Sequence, residues 1–246
     1  MNQLIYTGKS KNVYKRGDGN LEFYFKDAAT GMIREDGTVV FDPGYDTVAG
    51  EIPGKGKVSC AFTTHFFKLL KNQNVSSHYV ENLDDRRIVV QEAELLKIPG
   101  LYNLEWVYRN NVHGSFLRRY PFVPFCKALH GLVEVYTKGD TDTLIVDDAL
   151  VEIGVMTRKD LEDGKRLVKK INSIISSEFK RLDLHLIDGK VELGRVGGRI
   201  MLIDDISPDV MRVCRGCKLD EQGNCSVDCG GKNVISPMEL YKEVFG

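Results

Sequence analysis

The stretch from Thr157 to Asp204 leaves this chain the least freedom. Thr157-Arg158-Lys159-Asp160 offers a hydroxyl N-cap with an acid at the third helical position, the pattern of a capping box. Leu161, Leu167, Ile171, Ile174, Ile175 and Phe179 then fall on a single apolar face, which predicts a helix ending near Leu182. Two strand-like runs follow, Leu184 to Leu193 and Arg199 to Asp204, and Gly197-Gly198 between them is a hairpin signal.

Side chains alternate along a strand, so Asp188, Lys190 and Glu192 share one face while Ile187, Val191 and Leu193 share the other. One face is charged and the other is core. With an odd number of residues in the turn, Asp204 would lie opposite Glu192, their Cβ atoms about 4.5–5.5 Å apart. Two carboxylates facing each other repel unless a cation lies between them. Mg²⁺ suits that place, since it takes one or two carboxylates together with substrate phosphates. A solvated strand face with no ligand is the alternative reading.

Elsewhere the chain is mainly sheet. Short β-rich runs at Leu4 to Thr7, Asn12 to Tyr14 and Leu21 to Phe25 are separated by glycine turns and read as an antiparallel meander. Residues 31–56, rich in Gly, Asp and Pro, read as a loop or ligand-covering segment. One amphipathic helix is expected from Val58 to Leu70, and strands at 87–91, 104–108 and 132–136. Ser236-Pro237-Met238-Glu239 opens a short terminal helix running through Val244.

At 246 residues the chain can bury a core without a disulfide framework. The 34 basic and 35 acidic side chains leave a formal charge of -1, which argues against a nucleic-acid partner. No apolar run is long enough for a membrane helix. The start, Met1 to Tyr6, lacks the basic and long apolar regions of a signal peptide, so a cytoplasmic location with reduced thiols is the default expectation.

Four further segments could carry chemistry. Gly8-Lys9-Ser10-Lys11 is a glycine-led turn whose lysines could cover phosphate oxygens as point charges. Gly54-Lys55-Gly56-Lys57 precedes a helix, where backbone amides favour an anion. Arg109 to Ser115 combines a guanidinium, two amides and a hydroxyl around a glycine turn, and Asp204-Asp205-Ile206-Ser207-Pro208-Asp209 with Arg212 places polar ligands at a strand end.

Taken with Leu104-Glu105-Trp106-Val107-Tyr108-Arg109-Asn110, Lys26 to Thr30 and Asp188 to Gly194, these segments resemble the SAICAR synthetase family in order and spacing through most of positions 4–212. The resemblance implies an α+β fold in which a small β-rich, ATP-grasp-like ATP-binding lobe packs on a larger mixed α/β lobe, with the nucleotide in the cleft. The implied division is 1–95 for the first lobe, 96–212 for the substrate and metal lobe, and 213–246 for a Cys-rich segment with a short helix.

The implied function is that of an ATP-dependent ligase of purine biosynthesis that joins L-aspartate to carboxyaminoimidazole ribonucleotide through an acyl phosphate. Carried over by position, Lys9 and Lys11 contact the ATP phosphates with Glu105 near the nucleotide. Glu192 and Asp204 hold Mg²⁺, and Lys190 offsets charge at the transferred phosphoryl group. Arg109, Ser115 and Arg212 grip the phosphate and carboxylate of the ribonucleotide, and Asp209 accepts hydrogen bonds from it. A paralogous ligase or small-molecule kinase with another acceptor is the alternative. A homo-oligomer is compatible with the sequence.

The chain also departs from the family pattern. Ser59-Cys60 stands where an Asn-Asn pair is usual, Gln91 replaces a common lysine, and Gly189 replaces a phenylalanine. After Arg212 the likeness fades into Cys214, Cys217, Cys225 and Cys229, a C-x2-C-x7-C-x3-C spacing that suits tetrahedral Zn²⁺. An iron-sulfur cluster, free thiols, or disulfide and redox use are the other readings. Cys60 and Cys126 read as small core residues.

Overall fold

The glycine-separated runs at the start pair as the meander their alternation predicts. The computed structural model describes residues 2–36, 39–41, 47–139, 142–225 and 233–246. Strands β1 (Gln3–Thr7), β2 (Lys11–Lys15) and β3 (Leu21–Phe25) lie side by side, and β8 (Arg87–Val90) and β7 (Tyr79–Asn82) complete an antiparallel sheet in the order β1-β2-β3-β8-β7. The inward residues Phe23, Phe25, Ile88 and Val90 meet helix α1 (Lys55–Asn72). That helix buries Val58, Phe62, Phe66, Phe67 and Leu70. Each such side chain removed from water is worth about 1.5–3 kcal/mol.

The second sheet is built around β13 (Leu184–Val196). Its neighbours are β10 (Leu104–Asn111) and β9 (Glu94–Leu95) on one edge, and β14 (Arg199–Ile203) and β15 (Met211–Arg215) on the other. Beyond β10 lie β11 (Ala128–Thr137) and β12 (Thr143–Ile145). Two short helices interrupt this stretch, α2 (Gly114–Arg119) before β11 and α3 (Asp147–Glu152) after β12. Helix α4 (Arg158–Arg181) begins with the expected Thr157–Asp160 capping box and packs Leu161, Val168, Ile171, Ile175 and Phe179 into the core. Gly164 permits the close approach of helix to sheet, because a Cβ there would lie 2.6 Å from the Trp106 ring. Helix α5 (Pro237–Phe245) has the expected Ser236–Glu239 capping box. No described helix is long and apolar enough to cross a membrane.

Two expectations are corrected. Residues 31–56 are not a loop throughout: β4 (Ala28–Ile33), β5 (Val39–Phe41) and β6 (Val48–Glu51) form a small antiparallel sheet, and α1 already starts at Lys55. The β13–β14 turn contains two residues, not an odd number. Gly197 and Gly198 both have positive φ (57° and 77°), as a tight hairpin requires. Glu192 therefore pairs with Ile203, and Asp204 lies beyond the ladder in a left-handed conformation, φ 67°.

Candidate functional site

A cleft of about 460 Å³ opens between the first sheet and the β13–β14 hairpin. Val13, Leu21 and Phe23 from the first sheet and Ile203 from the second give it apolar walls. Polar groups converge at one part of the lining, the composition typical of a small-molecule site. Lys9, Lys11, Glu105, Lys190, Glu192, Asp204 and Asp209, all singled out from the sequence, line this one cavity.

Strand alternation explains the β13 side. Lys190 and Glu192 face the cleft, and the register sets Glu105 of β10 directly beside Glu192. Lys190 Nζ donates to both carboxylate oxygens of Glu105, at 2.9 and 3.0 Å. Lys138 Nζ lies 2.6 Å from Glu192 and 3.5 Å from Glu105. Burial disfavours the charged form of Lys138, but Glu192, Asp204 and Glu105 outweigh it and raise the pKa. The sequence reading missed Lys138. Its one available signal is its place at the end of β11, next to the strand that carries Glu105. Asn103 was missed as well, and its Nδ2 donates to Glu192 at 2.9 Å.

Across the cleft, buried Lys11 bridges the two acids after β14, at 2.8 Å from Asp204 and in direct contact with Asp205. Burial raises the Asp204 pKa, and Glu192 and Asp205 add to that, with Lys11 opposing. Burial also acts against Asp205, but Lys11 holds its carboxyl below the usual range. The hairpin register does not set Glu192 opposite Asp204; both line the cleft, with Asp204 in a left-handed backbone conformation and held by Lys11 and His78.

His78 Nε2–H donates to the Asp204 carbonyl at 3.1 Å, and burial pushes the imidazole down to about 4 from an ordinary 6.5. An unfolded histidine takes up a proton in that interval and the folded one does not. The His78 contribution is therefore fully present above pH 6.5 and is lost as pH falls toward 4. Denaturant unfolding at pH 7, 5.5 and 4.5 should show this slope reduced in His78→Gln, and the ring resonances of His78 should move only near pH 4. An unchanged slope would remove this account.

The anion site expected before α1 is corrected. Asp27 already supplies the anion: its Oδ1 accepts from Gly56 N at 2.9 Å, and Arg86 binds both its oxygens. The Arg86 hydrogen bonds hold the Asp27 carboxyl down at about 2. Gly56 has no room for a side chain, since a Cβ would lie 2.5 Å from the Phe25 carbonyl oxygen. Lys55 is turned inward, donating to Ala28 O at 2.8 Å and pairing with Asp209.

Arg109, Ser115 and Arg212 do not line the cleft. They form a second cluster around Asp188. Arg109 is 2% exposed, and its guanidinium donates to Glu134 (2.6 Å), Asp188 (3.2 Å), Ser115 (2.8 Å) and Tyr136 (3.2 Å). Arg212 donates to both oxygens of Asp188 at 3.0 Å. Gly189 is explained here: it faces Tyr108 across the ladder, and a Cβ would lie 2.2 Å from the Tyr108 hydroxyl.

None of the described cysteines lines the cleft. Cys60 and Cys126 are buried, and burial pushes the Cys60 thiol up to about 12. Cys214, Cys217 and Cys225 come together as expected, with Cys217 and Cys225 joined as a disulfide, whereas Cys229 lies outside the described residues.

Comparison with known proteins gives a consistent result. The family described as SAICAR synthetase matches residues 4–229. A phosphoribosylaminoimidazole-succinocarboxamide synthase of a Nitratiruptor species is 36% identical over 227 residues, covering 89% of this chain and 87% of the relative. One from Clostridium tetani is 36% identical over 215 residues, covering 85% and 91%. Among solved structures, a SAICAR synthetase (Type-2) in complex with ADP superposes with a TM-score of 0.75 at 28% identity, covering 98% of this chain and 95% of that one.

Proposed function

The chain belongs to the SAICAR synthetase family, and from that premise we infer that it is the ATP-dependent ligase joining L-aspartate to carboxyaminoimidazole ribonucleotide. The observation that carries the reading is the cleft itself. It is a cleft of about 460 Å³ with apolar walls, with Lys11, Lys138 and Lys190 set among Glu105, Glu192 and Asp204.

A carboxylate is a poor acyl donor because an oxide would have to leave. Attack of its oxygen on the γ-phosphorus of ATP forms an acyl phosphate and releases ADP. The aspartate amine then attacks the acyl carbon, phosphate leaves, and the nitrogen loses a proton to give the amide. The protein's part in such transfers is positioning and electrostatics. The exposed Lys9 and the buried Lys11 take the phosphate oxygens, and Glu105 orients Lys190 towards the transferred group. Asp209, held by Lys55, accepts hydrogen bonds from the ribonucleotide. Ser115 and Arg212 bind its anionic groups. Arg109 holds Ser115 and Asp188 in place.

The donor set fits a divalent ion. Glu192 and Asp204 present carboxylate oxygens to the same cleft, where Lys138 at 2.6 Å and Lys11 at 2.8 Å now face them, and such hard oxygen donors suit Mg²⁺. When bound, Mg²⁺ held by these two residues would neutralise phosphate charge. The division at residue 95 into a nucleotide lobe and a substrate lobe, and a cytoplasmic location, belong to the same proposal.

The test is ADP release. Turnover is expected to require both the ribonucleotide and L-aspartate together with a divalent cation, and Glu192→Gln is expected to raise the half-saturating cation concentration. ADP release that responds to neither organic substrate would overturn the reading.

A further inference from the structure

We propose that Cys214, Cys217 and Cys225 form a structural zinc site that fastens the 216–225 loop to the second sheet. Their sulfur atoms all lie within 4.8 Å of one another, the one such triplet of metal-ligating side chains among the described residues. Tetrahedral zinc with bonds of about 2.3 Å sets its sulfurs about 3.8 Å apart, inside that spread.

The local chain is built to bring them there. Beyond β15, Gly216 turns the backbone with φ 67°, placing Cys217 back beside Cys214. The Asp220 carboxylate then accepts from the backbone N–H of Gln222 and Asn224, both at 2.9 Å, and a bridge pairs Leu219 with Cys225. The chain doubles back and returns Cys225 to the same point.

A disulfide between Cys217 and Cys225 accounts for two of the sulfurs. It gives no reason for the third to share their sphere, and Cys214 is fully buried in a small apolar cluster with Cys126 and Ile187. A metal uses all three. A dithiol reductant opens the disulfide with two electrons and two protons, and Zn²⁺ then displaces the thiol protons to bind the thiolates. Cys229 lies outside the described residues; the three sulfurs define the site, and water fills the fourth tetrahedral position.

The loop so held is tied to the second sheet. Asn111 Nδ2, two residues beyond Arg109, donates to Cys126 O at 2.9 Å and Gly223 O at 3.3 Å, and Ala128 N donates to Asn224 Oδ1 at 3.0 Å. Cys214 stands two residues from Arg212.

The test is metal analysis of the full chain purified under a dithiol. One zinc per chain is expected, lost in Cys217→Ser and retained in Cys60→Ser. Cobalt in its place should give tetrahedral ligand-field bands with sulfur-to-metal charge transfer. Loss of zinc should lower the Tm by several degrees, with the far-UV spectrum kept. Metal-free protein, a Cys217–Cys225 disulfide that survives the reductant beside an unmetallated Cys214, iron with sulfide, or zinc retained in both Cys217→Ser and Cys214→Ser would each overturn the site.

Discussion

Lys190→Ala is expected to lower kcat by roughly 10²- to 10³-fold, the loss seen when one preorganised charge-stabilising donor is removed from an active site. Lys190 Nζ is fixed by two hydrogen bonds to Glu105, so in the proposed role it would meet the reacting phosphoryl group without reorganisation. Burial opposes its charge, but Glu105 outweighs burial and keeps the ammonium protonated. The variant does not strand Glu105, which still has Lys138 at 3.5 Å. The fold should therefore survive, and circular dichroism with a thermal melt checks it. The KM for ATP should change far less than kcat, because the apolar walls and Lys11, the nucleotide contacts of the proposal, are left intact. Lys190→Arg should not restore the rate, since a planar guanidinium does not present a compact point charge. A folded Lys190→Ala protein turning over within a few-fold of the parent would refute the assigned role.

Arg109→Met should show the opposite signature, a large loss of stability. Arg109 sits between two buried carboxylates, Glu134 and Asp188. Removing one partner of a buried ion pair costs about 3–5 kcal/mol, because the remaining charge is left in a poor solvent. Arg119 still pairs with Glu134 and Arg212 with Asp188, which argues for the lower end. At roughly 2–4 °C per kcal/mol for a chain of this size, Tm should fall by roughly 10 °C. The double variant with Glu134→Gln should lose less than the sum of the two single changes, since neighbouring sites are not additive. An unchanged Tm with lost ribonucleotide binding would make Arg109 a ligand contact instead.

Elements stabilised by near neighbours were legible in the sequence. The capping boxes at Thr157 and Ser236, the apolar faces of α1 and α4, and the Gly197-Gly198 turn all depend on groups a few residues apart. The segment 31–56 was misread because β4 finds its partners in β5 and β6 across intervening chain, and Gly and Asp content says nothing about that pairing. The anion reading before α1 failed for a similar reason. The carboxylate that caps Gly56 comes from Asp27, and Arg86, which holds that acid, is far along the sequence from both.

The site divides along the same line. The period of two along β13 was enough to put Lys190 and Glu192 on one charged face, with Val191 and Leu193 in the core. What decided the charge state of that face was tertiary: Lys138 reaching Glu192 from the end of β11, and Lys11 reaching Asp204 and Asp205 from the other sheet. Alternation is a property of consecutive peptide units and is written in the chain. Coulomb attraction depends on distance through space, and that distance exists only once the two sheets have closed around the cleft.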